Sequence, residues 1–196
     1  MLAEVNHRVA NSLQMVSALV RMQASALDDD NARAALVDTQ SRIHAIGQVH
    51  RRLYTSEDVK TVDLTDYLEG LARDLAETSS SSQGPRTVTL SGACTPVRTD
   101  AAVSLGVIVA ELVTNACKYA YGPDVAGEVR ILLADAGDGA VRLEVQDDGP
   151  GFDPAAPPKG SGLGSKVVKA MASNLRGELV LDRRPRGMSA ILTFRP

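Results

Sequence analysis

The sequence contains no tryptophan, and aromatic residues make up only 3% of its 196 positions. That argues against the stacking platforms used to hold single-stranded nucleic acid. Positive charge is not in surplus either. The formal net charge is -3, so no basic field gathers phosphate backbones, and nucleic acid is not an expected partner. Cysteine is scarce. Cys94 and Cys117 have no metal-type spacing and, without a secretion signal, read as reduced thiols. No apolar run approaches the roughly 18 residues that cross a bilayer. The first residues, MLAEVNHRV, carry Glu and His inside a helical pattern and do not form a signal peptide. The expectation is a cytoplasmic chain with no membrane segment of its own. What it does have is a hydrophobic share of 44% and a charged share of 23%, enough for a packed core under a soluble surface.

The first 54 residues read as two helices. Leu2, Val5, Val9, Leu13, Val16 and Val20 recur at spacings of three and four, predicting one apolar stripe. Asp28, Asp29, Asp30 and Asn31 break that pattern and offer a cap for the next helix. There Leu36, Thr39, Ile43, Ile46, His50 and Leu53 follow a 3-4-3-4-3 rhythm, a heptad seam. Each stripe is too narrow to be covered within one hairpin. Hairpins from two chains would complete a four-helix bundle, so a homodimer is expected.

The character changes near residues 55–62, giving two expected domains, 1–56 and 61–196. A third helix follows Asp63, with Leu64, Leu68, Leu71 and Leu75 on one side. Ser79 to Ser82, followed by Gln83, Gly84 and Pro85, reads as a flexible loop. Strands are expected at 87–90, 129–133, 141–145, 178–181 and 190–194, and helices at 100–119 and 166–175. The Gly- and Pro-rich stretch 149–164 reads as loop. This second region is α+β, with helices on one face of a mostly antiparallel sheet.

Three short motifs in it share one logic. In Glu111-Leu112-Val113-Thr114-Asn115-Ala116-Cys117-Lys118-Tyr119, a helix places Glu111, Asn115 and Lys118 on one face. A carboxylate, an amide oxygen and an ammonium there suit a hydrated Mg²⁺ that bridges phosphates. In Asp147-Asp148-Gly149-Pro150-Gly151-Phe152, an acid at a strand end precedes glycines that let a ring approach the backbone. In Gly160-Ser161-Gly162-Leu163-Gly164, glycines open a helix whose free N–H groups and positive dipole end can face phosphates. Alone, the first motif fits a polar surface stripe as well, the second is more often an ordinary Asp/Gly turn, and the third is a weak signal that fits neither the dinucleotide fingerprint nor the Walker loop. Their shared order and spacing make the pattern specific.

From about Asp100 onward the chain resembles the ATP-binding domain shared by histidine kinases, gyrase, Hsp90 and MutL, a Bergerat α/β sandwich. The resemblance implies ATP and Mg²⁺ as cofactors, with Glu111 and Asn115 catalytic and Asn115 holding the metal. It implies a nucleotide-binding set of Asn115, Lys118, Tyr119, Asp147, Gly149, Gly151, Gly162, Leu163 and Gly164. Asp147 would read adenine, and the stretch from Gly149 to Gly164 would be a lid. The N-terminal segment Glu4-Val5-Asn6-His7-Arg8-Val9-Ala10-Asn11-Ser12-Leu13-Gln14 resembles the phosphoacceptor box of HRxxN-type histidine kinases, close to the HWE kinases. The resemblance continues through the segment from Arg42 to His50. Ala110 stands before Glu111 and tryptophan is absent, which favours the HRxxN type. Ala10 and Ser12 stand where that type usually has Lys and Asn.

This resemblance implies a sensor histidine kinase transmitter: a hairpin that dimerises as a four-helix bundle, followed by the ATP-binding sandwich. His7 would be phosphorylated from ATP and would pass the phosphoryl group to an aspartate on the CheY-like receiver of a response regulator. Only six residues precede His7, so the sensor domain is expected to be missing from this chain. Histidine suits the acceptor role because its ordinary pKa leaves the ring largely neutral and nucleophilic near pH 7. His50 is assigned to the seam and His44 to solvent. Two alternatives remain at this point: a phosphotransfer protein with a non-catalytic ATP domain, and an anti-sigma-type serine kinase.

Overall fold

The computed structural model describes residues 2–53, 61–93, 96–122, 124–151 and 162–196. Within these, the side chains of residues 2–8, 10, 31, 38, 41, 44, 45, 48–53 and 81–83 are outside the description. Helix α1 (Leu2–Ser25) and helix α2 (Asp30–Leu53) form the hairpin. Asp29 starts α2 by accepting from the Ala32 N–H at 3.2 Å, which supplies one of the free donors of the first turn with an acceptor. The single stripe expected on α1 is divided in the structure. Ser17 and Ala24 are buried, and Leu13, Val20 and Leu27 are half-buried. Leu13, Ser17, Val20 and Ala24 share one heptad seam on the helix, which packs against α2, and Leu27 lies just past the helix end. Val9 and Val16 are exposed instead, together with Met15, Leu19 and Met22. The contact with α2 runs through Leu13, Ser17, Val20 and Ala24, and Val9 and Val16 fall outside it.

The remainder is a layer of helices on a sheet. Strand β1 (Thr61–Val62) pairs with β3 (Val97–Arg98), a two-stranded ribbon with no counterpart in the sequence reading. The main sheet contains β2 (Arg86–Ser91), β4 (Gly127–Gly137), β5 (Ala140–Asp147), β6 (Glu178–Arg183) and β7 (Met188–Phe194), in the order β2-β4-β5-β7-β6. Only β2 with β4 is parallel. The other pairs are antiparallel. Alternation does the sorting. Val129, Ile131, Leu133, Val141, Leu143, Val145, Leu192 and Phe194 are buried, while Arg130, Arg142 and Gln146 between them are less so, as the period-two rule requires.

The helices α3 (Leu64–Gln83), α4 (Thr99–Tyr119) and α5 (Leu163–Asn174) cover the apolar face. Asp63 caps α3 through the N–H groups of Thr65 and Asp66. Leu64, Leu68, Leu71 and Leu75 are all buried in the same core as α4 and the sheet. The stretch Ser79–Gln83, expected to be loop, is the last part of α3. Ser80 Oγ accepts from the Arg86 N–H and donates to its carbonyl, each at 3.0 Å, and Ser79 is buried. Tertiary hydrogen bonds thus override the turn tendency of a serine run. Helix α4 is also long and apolar enough to cross a membrane by length and composition, contrary to the sequence reading. In the fold most of it is buried between α3, α5 and the sheet, and it serves as the core helix.

The end of α4 is secured by a charge. Arg86 is buried, and its guanidinium donates to the carbonyls of Cys117, Gly122 and Val125 and stacks over the Tyr121 ring at 5.4 Å. A cation beside the unpaired carbonyls of a helix C-terminus satisfies both the dipole and the acceptors. This fixes the register between α4 and the strand ends on which the site depends.

Candidate functional site

Strand β5 lies in the middle of the main sheet and ends at Asp147. Asp147 is buried, and its carboxylate accepts from the Gly149 N–H at 2.9 Å. Burial pushes its carboxyl above the ordinary value, opposed by hydrogen bonds from the backbone of Gly149 and Met188. Asp148 has a different fate. Arg130 holds it with two bonds at 2.6 and 2.8 Å, which lowers its carboxyl pKa through those hydrogen bonds. Of the adjacent acids, one is taken up by a bidentate ion pair. The other stays on the side of the sheet that the helices cover, an acceptor able to receive a hydrogen bond from a planar amine.

Gly149 brings this strand end against α4: a Cβ there would stand 2.6 Å from Ala120. On α4, Asn115 is half-buried and Glu111 buried. Lys118 is half-buried and Tyr119 exposed, both in the last turn. Gly162, at φ 67°, is the N-cap of α5, a left-handed conformation that glycine adopts without penalty. That turn puts the N-terminus and positive dipole end of α5 at the site, an arrangement that suits an anion. Leu163 is exposed at the first position of the helix. Gly164 is buried, and a Cβ there would lie 2.6 Å from Glu111 Oε2 and 3.6 Å from Asn115 Nδ2. The second glycine motif therefore seats the N-terminus of α5 directly against the α4 motif. The three motifs converge on one locale, with Asp147 at one end and the start of α5 at the other.

Sequence reasoning missed two participants. Gly187, at the turn before β7, is so close to Asp147 that a Cβ would stand 1.8 Å from its carbonyl oxygen. The sequence reading left Gly187 in the connection between two expected strands and gave it no role. Arg42 of α2 also reaches the site: its Nε lies 3.0 Å from the Glu111 carboxylate. Gly151 lies beside the Gly187 carbonyl. The expected lid residues 152–161 are outside the described residues. His7 lies within α1, but its side chain, like those of His44 and His50, is outside the description. Among the described residues no group of three or more His, Cys, Asp or Glu side chains could hold a metal ion. One amide oxygen, that of Asn115, fits a Mg²⁺ that keeps most of its waters and binds mainly through phosphates.

Two family models match the chain. Residues 4–79 match one described as "Histidine kinase", and residues 100–196 one described as "Histidine kinase-, DNA gyrase B-, and HSP90-like ATPase". The sensor histidine kinase PdtaS of Mycobacterium tuberculosis is 30% identical over 192 residues, covering 96% of this chain and 38% of PdtaS. The blue-light-activated histidine kinase 2 of Erythrobacter litoralis is 28% identical over 188 residues, 93% of this chain and 53% of that protein. The chain thus spans about half or less of the length of these relatives. A solved histidine kinase domain from an Erythrobacter litoralis blue-light-activated kinase superposes with a TM-score of 0.67 at 25% identity, covering 98% of this chain and 89% of that one. The helical hairpin, the Bergerat-type sheet domain and the two family matches, which together span nearly the whole chain, carry one conclusion: the chain belongs to the histidine kinase family.

Proposed function

We propose that the chain is the transmitter of a two-component system, a homodimeric ATP-dependent protein-histidine kinase. It is organised as a phosphoacceptor hairpin over 1–56 and an ATP-binding domain over 61–196. ATP lies with its adenine amine donating to Asp147 and its phosphates at Asn115, Lys118 and the N-terminus of α5. Tyr119 and Leu163 flank the nucleotide, and Gly149, Gly151, Gly162 and Gly164 let it approach the backbone. Mg²⁺, held by Asn115 and by the phosphates, supplies neutralisation of the charge that moves during transfer. A neutral ring nitrogen of His7 attacks the γ-phosphorus in line; the bond to ADP breaks, and phosphohistidine forms. The phosphoryl group then passes to an aspartate of a receiver domain in a response regulator. The observation that carries this reading is the convergence of Asp147, Asn115 and the N-terminus of α5 on one locale, in a chain whose hairpin matches the histidine kinase model.

The test is incubation with γ-labelled ATP and Mg²⁺. Label stable to base and labile to acid, absent in His7→Ala while that variant still binds nucleotide, is the expected result. Wild-type labelling in His7→Ala would remove His7 as acceptor. Addition of candidate receivers to the washed phosphoprotein should move the label to an aspartate. Movement to a protein serine would replace this reading with a serine kinase.

A further inference from the structure

Arg42 belongs to the hairpin, yet its guanidinium ends in the sheet domain. Its Nε is 3.0 Å from the carboxylate of buried Glu111, and its Nη2 would be 3.2 Å from a Cβ at Gly164. Its Nη1 is enclosed and has no hydrogen-bond partner among the described residues. An enclosed guanidinium nitrogen without an acceptor is costly, and such groups in folded proteins call for an explanation. An oxyanion is the acceptor that a guanidinium fork fits best.

Position says which anion. The contact of Gly149 with Ala120 marks the Asp147 end of the site. From there back to Glu111 the helix rises about 13 Å, towards the first turn of α5. Arg42 therefore stands at the end remote from Asp147, where the last phosphate of a nucleotide anchored on Asp147 would lie. We propose that Arg42 is a phosphate-reading residue contributed by the hairpin: Glu111 holds its guanidinium in place, and the terminal phosphate of ATP, absent in ADP, is the acceptor of its remaining N–H groups. This rests on the nucleotide orientation proposed above. It makes triphosphate binding and the seating of the hairpin on the sheet domain one event.

The test uses the full chain with Mg²⁺ and compares a non-hydrolysable ATP analogue with ADP by titration calorimetry, in the wild type, Arg42→Gln and Arg42→Lys. Arg42→Gln should weaken the triphosphate about tenfold or more and ADP by no more than about twofold. Arg42→Lys, which keeps the charge but loses the fork, should recover part of the difference. Thermal melting of each variant checks folding, and Arg42→Lys carries the comparison if Arg42→Gln melts early. Equal losses for both nucleotides, or none for either, overturn the proposal and leave Arg42 a structural ion-pair partner. A wild-type chain that binds neither nucleotide overturns the ATP reading itself.

Discussion

The hairpin and the sheet domain treat their apolar side chains in opposite ways. In the sheet domain leucine, isoleucine and valine from three helices and the central strands share one core, and many of them are fully enclosed. In the hairpin the closed seam is made by small residues such as Ser17 and Ala24, while Met15, Leu19 and Met22 face outward. The sheet domain completes its burial within one chain. The hairpin presents apolar surface that a second hairpin can cover. Burial thus resides mainly in the sheet domain, and the outward stripe of Met15, Leu19 and Met22 belongs to the hairpin.

The largest expected effect lies in the sheet domain. Ile108→Ala empties a fully enclosed position on α4 and should lower unfolding free energy by about 3–4 kcal/mol, read by chemical denaturation. A loss under about 1 kcal/mol would contradict a core completed within one chain.

Smaller, and specific to the site, is Asp147→Asn. An amide can present its N–H₂ to the adenine amine and leave a mismatch of about 1–3 kcal/mol. That corresponds to a roughly five- to hundred-fold weaker Kd, with melting little changed. Unaltered affinity in calorimetry would take Asp147 out of the adenine role.

The hairpin should show the least change in folding and the clearest change in assembly. Replacing Met15, Leu19 and Met22 together by Gln should convert a dimer to a monomer in light scattering and leave the sheet domain's thermal transition in place. A variant that stays dimeric would place the interface elsewhere and break the contrast between the two regions.

Much of this was legible in the sequence. The leucines of α3, the alternation of β4, β5 and β7 and the three motifs each state a local periodicity or a local turn, and local signals survive folding. What escaped depends on long-range partners. The serine run joins α3 because Ser80 bonds to Arg86, a partner that no local pattern announces. The α1 stripe divides because the seam against α2 keeps Leu13 and Val20 of the expected set, joins them to Ser17 and Ala24, and leaves Val9 and Val16 outside. Gly187 approaches the site from a distant turn and carried no motif to mark it, while Arg42 opened a segment that resembled the family but gave no local sign of its reach to Glu111.

The parallel pairing of β2 with β4 has a consequence for the order of folding. β4 and β5 are joined by a short turn and pair from Val129 with Asp147 to Asp135 with Val141, with a register shift before the last pair, Gly137 with Ala140, so their loop closes at little entropic cost. β2 meets β4 only across a connection that contains all of α4, and that closure brings reward only once the helix has formed and packed. The β4–β5 hairpin is therefore expected to form early and the β2 edge late, an order that pulsed hydrogen exchange of the two strands would read. Arg86, at the start of β2, donates to the carbonyls of Cys117, Gly122 and Val125, so the anchoring of the α4 C-terminus should fall in the same late step.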